Sequence, residues 1–455
     1  MNKRKSLLYS SGNFAASLAG SVFSTYVIFY YVDVLKMPAY LIGLAMGIYG
    51  VWNAINDPLL GQMSDRTKSR WGRRTPYILF GTIPFVLFFT FVWTPPVNLI
   101  GGNITAMLIY FICIIFLFDL LYTLVIINWT SLFPEMYKTQ EERTRVSVYR
   151  QVFGILGNIF GVALPPILYV AIGWSAMGIV FGILTLVFLG LSLLGSKEDP
   201  SAAESAGLPL FKSLKATFAN KSFLIYVLAA MFLQFTFVML QAVLPFYAKY
   251  VVHVEGFKVS LMLGVIFIMA MLWVTFWGRR ANRKGSKNTI ITSAAIYAVA
   301  LIPLLFMKSF YATVISTALI GIGLAGLMVL LDVMLSDVID EDELKTGARR
   351  EGMYFGINGL LVRLAISFQA VIMGFVLNAS GYDANLPVDS QPAGTIMGIK
   401  VLLVIIPIVS VSIAMLIFSR YPLNGEKLRE VKEKIKEKHE NILTPREMEN
   451  VSQHL

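Results

Sequence analysis

The chain has 455 residues, of which 56% are hydrophobic and 14% charged, with a formal net charge of +11 and a single cysteine. A soluble domain keeps its charged share near about one quarter, so the surplus apolar surface needs lipid as its solvent and excludes an ordinary soluble enzyme. The lone Cys113 excludes an intrachain disulfide and a thiolate metal cluster.

A helix needs roughly 20 apolar residues to cross about 30 Å of hydrocarbon, which divides this length into about twelve transmembrane helices with short connections. Apolar runs predict spans at 8–34, 39–63, 74–95, 104–134, 146–170 and 174–196, then at 222–252, 257–278, 288–307, 310–338, 352–380 and 394–420. The first run is too long, and too lacking in a small-residue cleavage site, for a removable signal, and reads as the first span. A polar, Ser/Ala-rich stretch reads as a flexible connection between two halves. The expected organisation is an N-terminal six-helix bundle over 1–196, a cytoplasmic linker over 197–221, a C-terminal six-helix bundle over 222–421 and a cytoplasmic tail over 422–455. In the tail Leu428, Val431 and Ile435 recur at helical spacing, and the simplest reading is a short solvated helix without function.

The basic residues have a sidedness. Arg66, Lys68, Arg70, Arg73 and Arg74, then Lys138, Arg143 and Arg145, then Lys197, Lys212 and Lys215, then Arg279, Arg280, Arg283 and Lys284, then Lys345, Arg349 and Arg350 all fall in loops on the side of the N-terminus. The opposite loops 96–103 and 381–393 carry no Lys or Arg, so both termini of a multi-pass cell-membrane protein are expected in the cytoplasm. This distribution assigns the positive charge to membrane orientation rather than to nucleic acid. The halves echo each other weakly, since Gly61, Asp65, Arg66, Arg73 and Arg74 follow span two as Gly278, Arg279, Arg280, Arg283 and Lys284 follow span eight. Parallel repeats of this kind place a substrate site at mid-membrane between the halves.

An ionisable side chain near the bilayer centre costs roughly 2.5–3.5 kcal/mol, so each one in a span is a functional candidate. Five stand out: Asp57, Asp119, Arg150, Asp332 and Arg363. Asp119, Tyr122, Thr123 and Ile126 recur at three- and four-residue intervals, which puts an acid and a hydroxyl on one stripe of span four. Asp332 follows Met328 by one turn and shares its face. Gly43, Gly47 and Gly50 suit close helix packing rather than a ligand.

Around these residues a resemblance becomes specific. Trp52-Asn53-Ala54-Ile55-Asn56-Asp57-Pro58-Leu59-Leu60-Gly61, continued by Ser64-Asp65-Arg66-Thr67 and Arg70-Trp71-Gly72-Arg73-Arg74-Thr75-Pro76-Tyr77, resembles the glycoside, pentoside and hexuronide cation symporters of the major facilitator superfamily. Ser336-Asp337-Val338-Ile339-Asp340 and Leu344-Lys345-Thr346-Gly347-Ala348-Arg349-Arg350-Glu351-Gly352 provide a second match in the expected place between spans ten and eleven. The resemblance implies an all-α major facilitator fold of two six-helix bundles. It further implies a cation site on spans two and four, at Asn53, Asn56, Asp57 and Thr123. In the melibiose permease branch the position of Asn53 is a second acid, so half of the fixed charge is missing here, which favours a proton over sodium. The branch's sugar-binding acids fall at Ser17 and Ile126, and two of its aromatics at Met328 and Thr130, so melibiose specificity does not carry over.

The expected substrate-binding set is therefore Asp119, Tyr122, Arg150, Met328, Asp332, Asn358 and Arg363. Likeness to the family also implies gating charges at Asp65, Arg66, Arg73, Arg74, Asp337 and Asp340, which would hold the cytoplasmic face shut. The resulting expectation is a secondary active transporter, not an enzyme, that moves a glycoside or related sugar with a coupling cation, H+ or Na+, and needs no other cofactor. Its partners are a small-molecule substrate and membrane lipid, with no nucleic acid, and the chain is expected to act as a monomer. A lysolipid or other amphiphile carrier and a non-transporting sensor are the alternatives.

Overall fold

A bilayer core offers no water to backbone N–H and C=O groups, so a segment that crosses it must bond them within itself, and a helix does this. The computed structural model describes residues 3–65, 67, 69–137, 139–198, 217, 219–347 and 351–442, and all their regular elements are helical. The first half contains α1 (Lys3–Phe29), α2 (Ala39–Asp65), α3 (Thr75–Trp93), α4 (Ile104–Met136), α5 (Gln140–Ala163) and α6 (Pro165–Gly195). The second contains α7 (Lys221–Tyr247), α8 (Phe257–Lys284), α9 (Ser286–Leu301), α10 (Phe310–Thr346), α11 (Glu351–Ala379) and α12, which runs from Ala393–Lys400 through a π turn into Ile406–Ser419. Among the described residues eleven helices are long and apolar enough to cross a membrane, and α2, of 27 residues, completes the series.

Side-chain caps start three of the described helices. Asn103 accepts from Ala106 N at the head of α4, Thr139 from Glu142 N at α5, and Asn220 from Ser222 N and Phe223 N at α7. Where the expected spans five and six part, the chain bends at Pro165 and Pro166 and leaves helical geometry at Gly173, at φ 82° and ψ 165°. That positive φ suits a residue without a Cβ, and the expected boundary falls on it. By contrast α8 and α10 run to Lys284 and Thr346, beyond the expected 278 and 338. Hydropathy reports the part in hydrocarbon, whereas helical hydrogen bonding continues into polar sequence.

α1 and α7 occupy the centre. Tyr9 and Tyr26 of the first, and Tyr226, Phe246 and Tyr247 of the second, are buried. The outer helices turn Ile48, Leu87, Leu272, Val299, Ile315 and Leu416 outward, which suits lipid contact. Both central helices end in a π turn, Tyr30–Val34 after α1 and Ala248–Val252 after α7.

The two halves meet unevenly along α2 and α11. A Cβ at Gly43 would stand 2.8 Å from the Ala370 carbonyl, and one at Gly374 would stand 2.6 Å from the Ala39 carbonyl, so these glycines permit direct backbone approach. A Cβ at Gly61, Gly356 or Gly359, at the other ends of the same helices, would meet nothing within 4 Å beyond its own helix. The halves are thus closed at the face away from the termini and apart at the face rich in Lys and Arg, here termed the basic face.

A tail helix, α13 (Glu426–Ile442), departs from the expectation of a solvated segment. It buries Val431 and Ile435 and sets Lys432 3.1 Å from Asp337, Lys438 3.1 Å from Glu343 and Lys427 3.5 Å from Glu341, all on the basic-face end of α10. Its apolar stripe needed a partner, and the acids of α10 select the orientation.

Candidate functional site

Three helices bring polar side chains together inside the membrane region. On α2 the sequence places Tyr49, Asn53, Asn56 and Asp57 at intervals of four, three and one, so all four fall on one side. Opposite them stand Asp119 and Thr123, one turn apart on α4. Tyr49 Oη donates to Asp119 Oδ1 at 2.9 Å, Asn56 Nδ2 donates to Asp119 Oδ2 at 3.1 Å, and Asn53 Nδ2 donates to Asp119 Oδ1. Thr123 Oγ1 donates to Asp57 Oδ1 at 3.1 Å. The other oxygen of Asp57 pairs with Arg363 of α11, which ties the halves together.

The part around Asp119 is nearly dry: Asp119, Asn56 and Thr123 are 1%, 1% and 2% exposed, while the Asp57 and Arg363 side chains keep 21% and 30% exposure. A buried carboxylate keeps its charge only when donors or cations surround it. Asp57 has a guanidinium, whereas Asp119 has three neutral donors and no cation within 4 Å among the described residues. With both carboxylates ionised, two negative charges face one positive, and one negative charge is left over. Asn53 Oδ1 is also buried without a hydrogen-bond partner. Carboxylate, amide and hydroxyl oxygens together form a donor set suited to a hard monovalent cation or a proton.

Beside the cluster lies a cavity of about 600 Å³, in the second half except for Gln151 and Ile155 of α5. Polar groups on its wall include Tyr226, Gln234, Asp332 and Asn358, and Leu233, Phe237, Phe267, Met271, Leu327 and Met328 make much of it apolar.

The expected residues divide accordingly. Asn53, Asn56, Asp57 and Thr123 gather as one group, while Met328, Asp332 and Asn358 line the cavity. Asp119, expected on the cavity wall, is instead enclosed between α2 and α4, because the face it shares with Thr123 is the one turned to α2. Tyr122 packs against Phe85 and Phe118 and donates to the Ala16 carbonyl at 3.4 Å, so it faces α1 and α3. Arg150 lies over the rings of Trp129 and Phe133, each 4.8 Å away, an arrangement that shelters a charge from lipid without a carboxylate. Arg363 pairs with Asp57 rather than standing free in the cavity.

Among the gating set, Arg73 and Arg74 close on Glu135 at 2.7 Å and 2.8 Å within their own half. Glu198 caps the same turn by accepting from Arg73 N, Arg74 N and Thr75 N. Asp337 is engaged by α13, and Asp340 stands one turn from it on α10. Asp65 ends α2, and Arg66 lies outside the described residues.

The contacts that shut the face away from the termini lie outside the expected set. Asp33, in the π turn after α1, meets Lys249 Nζ at 2.6 Å and accepts from Tyr250 Oη at 2.5 Å and Tyr382 Oη at 2.7 Å. Lys36 donates to the Ala384 carbonyl, and Thr25 Oγ1 to Gln241 Oε1 at 3.2 Å. The signal was present, since Asp33 and Lys249 are ionisable groups at the ends of spans one and seven. Tyr49 was also legible, one turn before Asn53.

Paired six-helix halves that meet at one face and part at the other are the geometry of alternating access, and the molecule is a membrane-embedded secondary transporter of the major facilitator fold, not an enzyme. The family model for MFS/sugar transport protein matches residues 8–425, and the chain belongs to that family. It is 28% identical to the isoprimeverose transporter of Lactiplantibacillus pentosus, over 94% of this chain and 90% of that protein. It is 23% identical to the sodium-dependent lysophosphatidylcholine symporter 1 of Gallus gallus, over 95% of this chain and 89% of that one. Among solved structures, a bacterial homolog of the lysosomal transporter Spinster superposes with a TM-score of 0.68 at 13% identity, covering 92% of this chain and 98% of that one. The nucleoside transporter NupG superposes at 0.65 and 14%, covering 93% and 100%.

Proposed function

We propose that the protein is a symporter that carries a glycoside or related sugar into the cell with one monovalent cation. The observation that carries this reading is the surplus negative charge of the Asp57, Asp119 and Arg363 cluster, which one cation neutralises. A proton suffices on one carboxylate. The unpartnered Asn53 Oδ1 favours sodium as the second reading, since Asp119 supplies from α4 the acid that α2 lacks. The sugar would bind in the adjoining cavity, with hydroxyl groups on Asp332, Asn358, Gln234 and Gln151 and an apolar portion along Phe237, Phe267 and Met328. The isoprimeverose transporter supports a glycoside; the largely apolar wall supports an amphiphile as the competing substrate.

Arg363 links the two sites. When a cation reaches Asp57, the guanidinium loses its partner's charge and can turn to the substrate, so each ligand favours occupancy by the other. Inward movement of one charge supplies roughly 2.3 kcal/mol per 100 mV, about fifty-fold accumulation of a neutral substrate. The basic face is taken as cytoplasmic, with both termini on it, and the structure as its inward-open state. The test is uptake into proteoliposomes of labelled glycosides and of lysolipid, under an imposed pH gradient and a sodium gradient separately. Gradient-driven accumulation of a glycoside is expected; accumulation of lysolipid alone, or of nothing under either gradient, overturns the reading.

A further inference from the structure

We propose that the basic-face end of α8 is a binding site for the phosphate headgroup of an anionic lipid. Arg279, Arg280, Arg283 and Lys284 place four cations within the last six residues of that helix, and they line a recess of about 340 Å³ together with Phe276. Like charges this close repel one another, so a cluster of this kind usually contains its own acids. Elsewhere on this face Arg73 and Arg74 close on Glu135, Arg145 on Glu141 and Lys432 on Asp337. No carboxylate lies within 4 Å of the four cations of α8 among the described residues. Arg280 donates from Nη2 to Thr292 Oγ1 at 3.2 Å, while its Nε is buried and has no acceptor. That Nε is closed to any external atom as well, whereas Arg279, Arg283 and Lys284 are exposed and carry N–H groups that an oxygen brought from outside the protein can reach.

The surface below the cations indicates the source of that oxygen. Ile268, Leu272 and Phe276 are exposed and recur every four residues, so an apolar strip runs up the outer side of α8 and ends at Arg279, Arg280 and Arg283. An acyl chain lies along the strip while its phosphate sits among guanidinium groups, whose planar forks match phosphate oxygens. The rule that gathers basic residues on the cytoplasmic side accounts for the side on which these four stand. It leaves their missing acids and the recess beneath them unexplained, and a bound headgroup accounts for both.

Native mass spectrometry of the full chain, released from micelles containing equal phosphatidylglycerol and phosphatidylcholine, tests the site. The parent is expected to retain phosphatidylglycerol at least about tenfold over phosphatidylcholine, and Arg279→Gln/Arg283→Gln to lower that retention about twenty-five-fold, five-fold for each charge. Arg145→Gln/Lys434→Gln, which removes two acid-paired cations from the same face, should leave it within about twofold. Because the loss of two charges can disturb insertion, Arg279→Lys/Arg283→Lys is the second variant: it keeps charge and sidedness and should retain the lipid within about threefold. Equal retention of the two lipids by the parent, undiminished retention by the glutamine pair, or equal loss in the lysine pair overturns the proposal. Displacement of the lipid by equimolar inorganic phosphate also overturns it, because the recess would then be a site for free phosphate.

Discussion

The carboxylate of Asp33 lies 2.6 Å from the ammonium of Lys249, and the two belong to matching π turns, one after α1 and one after α7. The pair therefore joins equivalent points of the two halves. Asp33 is 1% exposed, and a carboxylate so enclosed is costly to leave without its cation, by about 3–5 kcal/mol.

Asp33→Asn should weaken the closed face and populate the state open to that side. A cysteine at Thr25, which bonds Gln241 across the interface, would report this in a Cys113→Ser background, because the natural thiol is exposed. Labelling by a membrane-impermeant reagent added on the side away from the termini should rise about tenfold or more, a shift of about 1.4 kcal/mol. An unchanged rate would show that the remaining contacts, the glycine approaches and the Lys36–Ala384 bond among them, keep this face shut.

Asp57→Asn should abolish gradient-driven accumulation while leaving counterflow without a gradient. It also removes the one ion-pair partner that Arg363 has among the described residues, so thermal stability should fall by about 1–3 kcal/mol, the pair being partly exposed. Asp57→Asn/Arg363→Gln should recover much of that stability and none of the coupling. Full accumulation in the single variant would move coupling to Asp119.

Asp119 and Asp332 should behave differently towards water. A cysteine at Asp332 is expected to react with a hydrophilic thiol reagent applied from the basic face, and substrate should slow the reaction. A cysteine at Asp119 should remain unlabelled from either side, because Tyr49, Asn53 and Asn56 enclose that position. Rapid, substrate-protected labelling at 119 would return this residue to the cavity.

Truncation after Leu423 removes α13 and strips Lys427, Lys432 and Lys438 from Glu341, Asp337 and Glu343. Those acids are nearly buried, so the loss should exceed that of exposed pairs, at about 1–3 kcal/mol. Detergent melting curves would measure it. A truncated chain as stable as its parent would make the tail dispensable to the fold.

The helices were legible because lipid imposes a single rule, and even the break at Gly173 followed from it. That Asn53, Asn56, Asp57 and Thr123 come together was legible because the first three share one helix face and Thr123 has one neighbour to meet. Asp119 was misplaced for a geometric reason: Asp119, Tyr122 and Thr123 occupy a stripe about 100° wide, broad enough to touch two neighbouring helices. Spacing on one helix does not say which edge meets α2 and which meets α1. The Asp33–Lys249 pair spans 216 residues, and no local pattern carries such a pairing. The mooring of α13 was hidden likewise, since its lysines read as solvated until α10 presents acids to them.

The uneven seam between α2 and α11 makes α2 a lever. Its 27 residues extend about 40 Å, with the crowded glycines at one end and open space around Gly61 at the other. A turn of about 10° about the crowded end sweeps the free end through about 7 Å, the width of a sugar ring, at a rise of 1.5 Å per residue along the arm. Rearrangement confined to a few residues near Gly43 is thus multiplied into a doorway without any helix unwinding, and the largest displacement falls farthest from the contacts that hold the halves together.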